Sequence, residues 1–85
     1  MYKTEPTKEF AKNLKKLSVN EQRLTKNKLE LLVQNPFHPS LRTKKVQALD
    51  GVFECSVNMS IRILWKYKDR ALILLLDIGR HDILP

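Results

Sequence analysis

Two residues in this 85-residue chain have the type and the setting to act on an anion. Arg62 interrupts an apolar run, Ile61-Arg62-Ile63-Leu64-Trp65, and His81 follows the longest apolar run in the segment Gly79-Arg80-His81-Asp82. A guanidinium in an apolar strand needs a counter-charge or an anionic ligand, because an unpaired buried charge is costly. Glu54 is the carboxylate within reach; a bound anion is the alternative. An imidazole just past a strand end can give and take a proton near neutral pH, and strand ends commonly carry functional loops. Arg62, His81 and Glu54 are therefore the candidate catalytic set. Arg42, Lys44 and Lys45 form a basic run close by in sequence, and Arg80 and Lys66 add to it. Such a cluster can hold several phosphates of one nucleic-acid strand, or be a plain solvated edge.

Other chemistries find little support. Cys55 is the single cysteine, so no internal disulfide forms, which fits a reducing cytosol. Lying mid-strand beside apolar neighbours, it reads as a small buried hydrophobe rather than a nucleophile. The two histidines and one cysteine are too far apart for a metal motif. Gly51 and Gly79 are the only glycines, which leaves no Gly-rich phosphate loop. His38, between Phe37 and Pro39, is explained by turn chemistry as well as by ligand binding. Sixteen Lys and Arg against nine Asp and Glu give a net charge of +7, which points to a polyanionic partner. No signal peptide and no run long enough to span a bilayer is visible, so no membrane association and a cytoplasmic location are expected.

The elements that must position these residues can be read in chain order. A single domain over residues 1–85 is expected. Tyr2–Glu5 suggests a short edge strand ended by Pro6. Thr7 offers an N-cap, and Phe10, Leu14 and Leu17 give one helical stripe. Ser18 and Glu21 have capping-box spacing, so a second helix follows at once and ends at Asn35-Pro36. Four strands are then expected: Lys44–Leu49, Val52–Val57, Ile61–Tyr67 and Ala71–Ile78. Asp50-Gly51 marks a tight turn and Asn58-Met59-Ser60 a three-residue one. Gly79 is expected to allow a sharp turn. Ala71–Ile78 is apolar at nearly every position, as in a strand covered on both faces. If Val57 pairs with Ile61, Phe53, Cys55, Val57, Ile61, Ile63 and Trp65 share a core face. Glu54, Ser56, Arg62, Leu64 and Lys66 then share the other, polar and cationic face, with Ser56 opposite Arg62. The fold class is α+β, an N-terminal helical hairpin on a mostly antiparallel four- to five-stranded sheet.

The order of these elements, with His38-Pro39-Ser40-Leu41-Arg42, Leu49-Asp50-Gly51-Val52-Phe53, Val57 through Ile63 and Leu74 through Asp82, resembles the RelE/ParE superfamily of type II toxin–antitoxin toxins, on its RelE/YafQ-like ribonuclease side. The resemblance covers nearly the whole chain. It implies a toxin neutralised by a cognate acidic antitoxin, acting on the ribosome as an mRNA endoribonuclease with no metal or cofactor. It also implies that Arg62 stabilises the phosphate in the transition state and that His81 is a phosphate ligand or acid/base. Two alternatives remain open: a ParE-like inhibitor of DNA gyrase, and an inactive toxin that only binds its antitoxin. The chain departs from the family pattern at three places. It lacks an aromatic residue after His81, has Asp77 where YafQ-like members have Arg, and has Phe53 and Cys55 where some members place catalytic lysines.

Overall fold

Residues 1–80 are described by a computed structural model, and His81 lies outside the described residues. In chain order the elements are β1 (Lys3–Pro6), α1 (Lys8–Leu14), α2 (Val19–Gln34), a 3-10 turn (Pro39–Leu41), β2 (Lys44–Lys45), β3 (Phe53–Ser56), β4 (Ile61–Tyr67) and β5 (Leu72–Arg80). The five strands form one sheet in the order β1-β5-β4-β3-β2. β1 runs parallel to β5 and the other neighbours are antiparallel, so the sheet is mixed. The expected helical hairpin at the N-terminus is corrected in one respect: a strand comes first and the helices follow it.

Both helix starts follow the local chemistry. Thr7 Oγ1 accepts from Phe10 N at 3.1 Å and donates to Leu76 O at 2.9 Å, capping α1 and tying it to β5. Ser18 Oγ accepts from Glu21 N at 3.1 Å while Glu21 Oε1 accepts from Ser18 N at 3.0 Å, a complete capping box. α1 is shorter than the Phe10–Leu14–Leu17 stripe suggests. After Leu14 the amides of Lys16 and Leu17 bond back to Asn13 and Leu14, a tighter turn that delivers the chain to Ser18. Leu17 still packs against the core.

The core lies between helices and sheet. Phe10, Leu32, Leu41, Ile61, Ile63, Trp65, Ile73, Leu75 and Ile78 are almost wholly buried, each contributing about 1.5–3 kcal/mol by removal from water. Trp65 stacks on Phe53 at a 4.7 Å centroid separation. Its indole N–H is buried with no acceptor among the described residues, a cost of roughly 1–3 kcal/mol that the burial of the ring must outweigh.

β5 is covered less completely than its composition suggests. Ile73, Leu75 and Ile78 are buried, but Leu72, Leu74 and Leu76 are only half-buried. The β4–β5 register shifts between Leu64, paired with Asp77, and Trp65, paired with Leu75. Leu76 is the extra residue of a bulge, and the bulge returns Ile78 to the core. Leu76 instead joins Val46, Val52 and Leu64 in a second apolar cluster. The face expected to be polar therefore carries an apolar patch. β2 is two residues long rather than six; beyond Lys45 only the bond from Val46 N to Val52 O, at 2.9 Å, continues the hairpin. Gly51 adopts a left-handed φ of 72°, as the turn there requires. Gly79 does not turn the chain: it pairs with Arg62 inside β5. No helix among the described residues is long and apolar enough to cross a membrane.

Replacing Ser18 with Ala removes one half of the capping box. It should cost about 1 kcal/mol and lower the melting temperature by roughly 4–8 °C, read by thermal denaturation followed in circular dichroism.

Candidate functional site

Arg62 owes its position to the turn that precedes it. Asn58 Oδ1 accepts from Ser60 N and Ile61 N, each at 2.8 Å, which fixes the Asn58-Met59-Ser60 turn. Val57 N then donates to Ile61 O at 2.9 Å, and the register runs Ser56 to Arg62, Cys55 to Ile63, Glu54 to Leu64 and Phe53 to Trp65. This is the pairing expected from a three-residue turn. The Arg62 guanidinium curls back over the turn, its Nη1 donating to Asn58 O at 2.7 Å and to Ile61 O at 3.3 Å. Its Nε and Nη2 donate to no acceptor among the described residues.

Beside Arg62 is a hollow of about 260 Å³ lined by Lys28, Ser40, Arg42, Ser56, Asn58 and Arg62, together with the apolar Val57 and Met59. Three cations and two hydroxyls converge there, and no carboxylate or imidazole lines the hollow among the described residues. Converging like charges repel unless an anion lies between them, so the arrangement suits a phosphate. Arg42 reaches the hollow from an unusual backbone. It closes the 3-10 turn in the left-handed conformation, φ 51° and ψ 42°, with its amide donating to Pro39 O at 3.2 Å. A residue with a Cβ pays roughly 1–2 kcal/mol for that conformation, and such strain gathers where position matters for function.

The other sequence candidates are distributed differently. Glu54 does not pair with Arg62; its Oε1 lies 3.5 Å from Lys44 Nζ. Lys44 is thereby engaged, and Lys45 lines a separate hollow of about 120 Å³ with Asp50 and Gly51. Lys66 is exposed, four residues from Arg62 along β4, roughly 13 Å at the rise of a strand. Arg80 Nη1 lies 3.1 Å from Glu21 Oε2, which takes it to the N-terminus of α2. The structure thus brings Arg42 to Arg62 and leaves Lys44, Lys45, Lys66 and Arg80 elsewhere. Lys28 was not singled out in the sequence. It is one of several lysines on α2, and no periodicity marks the one that meets the β3–β4 turn.

Two further expectations meet the geometry here. Phe53 and Cys55 pack in the core, so they do not face the hollow; Glu54 and Ser56 alternate with them on the side of Arg62. Glu21 has its carboxyl held below the usual range, first by the backbone amide of Ser18 and then by Arg80. The stability this contributes is present above the ordinary carboxylate pKa and is lost as pH falls through the lowered one. Burial pushes the Cys55 thiol from its ordinary value of 9.0 up to about 12, helped by the nearby Glu54 charge. The unfolded chain releases that proton at lower pH than the folded one, so stability should fall between about pH 9 and 12. At pH 8 a disulfide exchange reagent should label Cys55 only as fast as the protein unfolds. Rapid labelling of the native protein would contradict the burial.

No family model matches the chain, and no curated protein sequence matches it. Solved structures do. A metal-bound toxin from Helicobacter pylori superposes with a TM-score of 0.82 at 23% identity, covering 100% of both chains. YafQ in the Escherichia coli DinJ–YafQ complex gives 0.77 at 18% identity, covering 99% of this chain and 98% of that one. The archaeal RelE–RelB complex from Pyrococcus horikoshii gives 0.77 at 16% identity, covering 98% of each. The chain has the fold of RelE- and YafQ-type toxins over its whole described length.

Proposed function

We propose that this chain is the toxin of a type II toxin–antitoxin module and cleaves mRNA on the ribosome. The observation that carries the reading is the hollow around Arg62, where the cations of Lys28, Arg42 and Arg62 converge, on a fold shared with toxins that were solved with their antitoxins. In the reaction the ribose 2′-hydroxyl loses its proton to a base and its oxygen attacks the adjacent phosphorus. The bond to the 5′-oxygen breaks, that oxygen takes up a proton, and a 2′,3′-cyclic phosphate remains. The phosphorane transition state carries more negative charge than the diester. Donors fixed before the reaction stabilise it most, and the two turn carbonyls hold Arg62 for that task. His81, outside the described residues, is the proposed proton carrier. Glu54 remains a second candidate, but Lys44 must release it first.

A second reading is that the chain binds without cutting, as a gyrase inhibitor would, because converging cations hold an anion whether or not a proton is moved. Expression in bacteria separates the two. Translation arrest with transcripts cut inside codons supports the nuclease; intact transcripts beside relaxed or broken DNA support the gyrase inhibitor; no toxicity supports neither.

Arg62→Ala should reduce cleavage at least a hundredfold, as loss of a transition-state donor does, while the variant still binds the antitoxin. Growth arrest equal to wild type would remove Arg62 from the mechanism. The proposed partner is a cognate acidic antitoxin, and the affinity of that complex should fall as salt rises; an affinity indifferent to salt would argue against charge pairing.

A further inference from the structure

The hollow is larger than one phosphate requires, and its cations come from three separate places in the chain: Lys28 from α2, Arg42 from the 3-10 turn and Arg62 from β4. Their approach follows from the edge of the sheet. Lys44 pairs with Glu54 and Ser56 with Arg62, so two residues back from Lys44 the chain brings Arg42 beside Ser56. Lys28 is half-buried rather than waving in solvent. Its charge and that of Arg62 both act on the same Cys55 thiol, opposing the effect of burial. No aromatic ring lines the hollow among the described residues, so its grip is on a backbone and not on stacked bases.

We propose that Lys28 and Arg42 are substrate-positioning residues that hold the phosphate neighbouring the one held by Arg62, so that the hollow takes two consecutive phosphates of a single-stranded RNA. This rests on the endoribonuclease reading for the identity of the reacting phosphate, and on the geometry alone for the paired anion site. Ser56 adds a hydroxyl donor to the lining, while the Ser40 hydroxyl donates to His38 Nδ1 at 2.9 Å. Arg42 lines the hollow from a left-handed backbone.

The test uses the full chain and a 2′-O-methyl oligouridylate, which offers phosphates but no attacking hydroxyl. Affinity is measured against salt for wild type, Lys28→Ala, Arg42→Gly and Arg62→Ala. Each of the first two variants should bind roughly tenfold more weakly and lower the salt slope by about 0.7, the value for one single-strand phosphate contact. Arg42→Gly should melt no lower than wild type, because glycine adopts that φ freely, so its loss of binding is not a loss of fold. In cleavage of ribosome-bound mRNA, Lys28→Ala and Arg42→Gly should raise KM more than they lower kcat, whereas Arg62→Ala should mainly lower kcat. Salt slopes and KM equal to wild type in both variants overturn the inference, even if mRNA is still cut. Oligonucleotide binding with the expected slopes, but no cutting of mRNA, leaves the two-phosphate site standing and removes the nuclease reading.

Discussion

The register across the Asn58-Met59-Ser60 turn governs the rest of the molecule. With Val57 N bonded to Ile61 O, Ser56 falls opposite Arg62 and Cys55 opposite Ile63. A slip of one residue would move Arg62 toward the core and Ile61, Ile63 and Trp65 toward water, because side chains alternate with a period of two. The buried set makes that slip prohibitive: Ile61, Ile63 and Trp65 are each fully excluded from solvent. The core thus fixes the functional face without touching it. Asn58 reinforces the same choice locally, with its side chain holding two turn amides and its carbonyl holding Arg62.

Much of this was legible from residue types. Thr7, the Ser18–Glu21 box and the Asn35-Pro36 stop act within a few residues of themselves, so sequence reports them well. The β3–β4 register was legible because only one turn length kept apolar residues on a single face. β5 was less so. In Leu74-Leu75-Leu76 an extra residue leaves no mark on the hydrophobic pattern, and the bulge at Leu76 becomes visible only through the pairing of Leu64 with Asp77 and Trp65 with Leu75. Lys28 was illegible for a different reason. Its neighbours on α2 are also cationic, and only tertiary packing decides which lysine meets the hollow.

Charge is divided by position rather than spread evenly. Glu54, Glu21 and Glu5 each hold a cation, respectively Lys44, Arg80 and Lys68. As exposed or partly exposed pairs they add little stability. Their effect on the site is greater than on the fold. Glu54 lies on the same side of the sheet as Arg62, two residues from Ser56 along β3. Bound to Lys44, it is drawn toward the sheet edge rather than toward the guanidinium, and the hollow keeps its positive potential.

Gly79 shows how the same alternation divides two arginines. Ile61 pairs with Arg80 and Arg62 with Gly79, so the guanidiniums start one rung apart. Arg80 leaves from the rung of a core residue and reaches Glu21 at the N-terminus of α2. Arg62 leaves from the next rung, on the opposite face, where its partner has no side chain. Glycine therefore serves here as an empty cross-strand position within a strand, not as a hinge after one. The same two glycines that a sequence reading assigns to turns stand in different settings: Gly51 supplies a left-handed φ, and Gly79 sits inside β5 opposite Arg62.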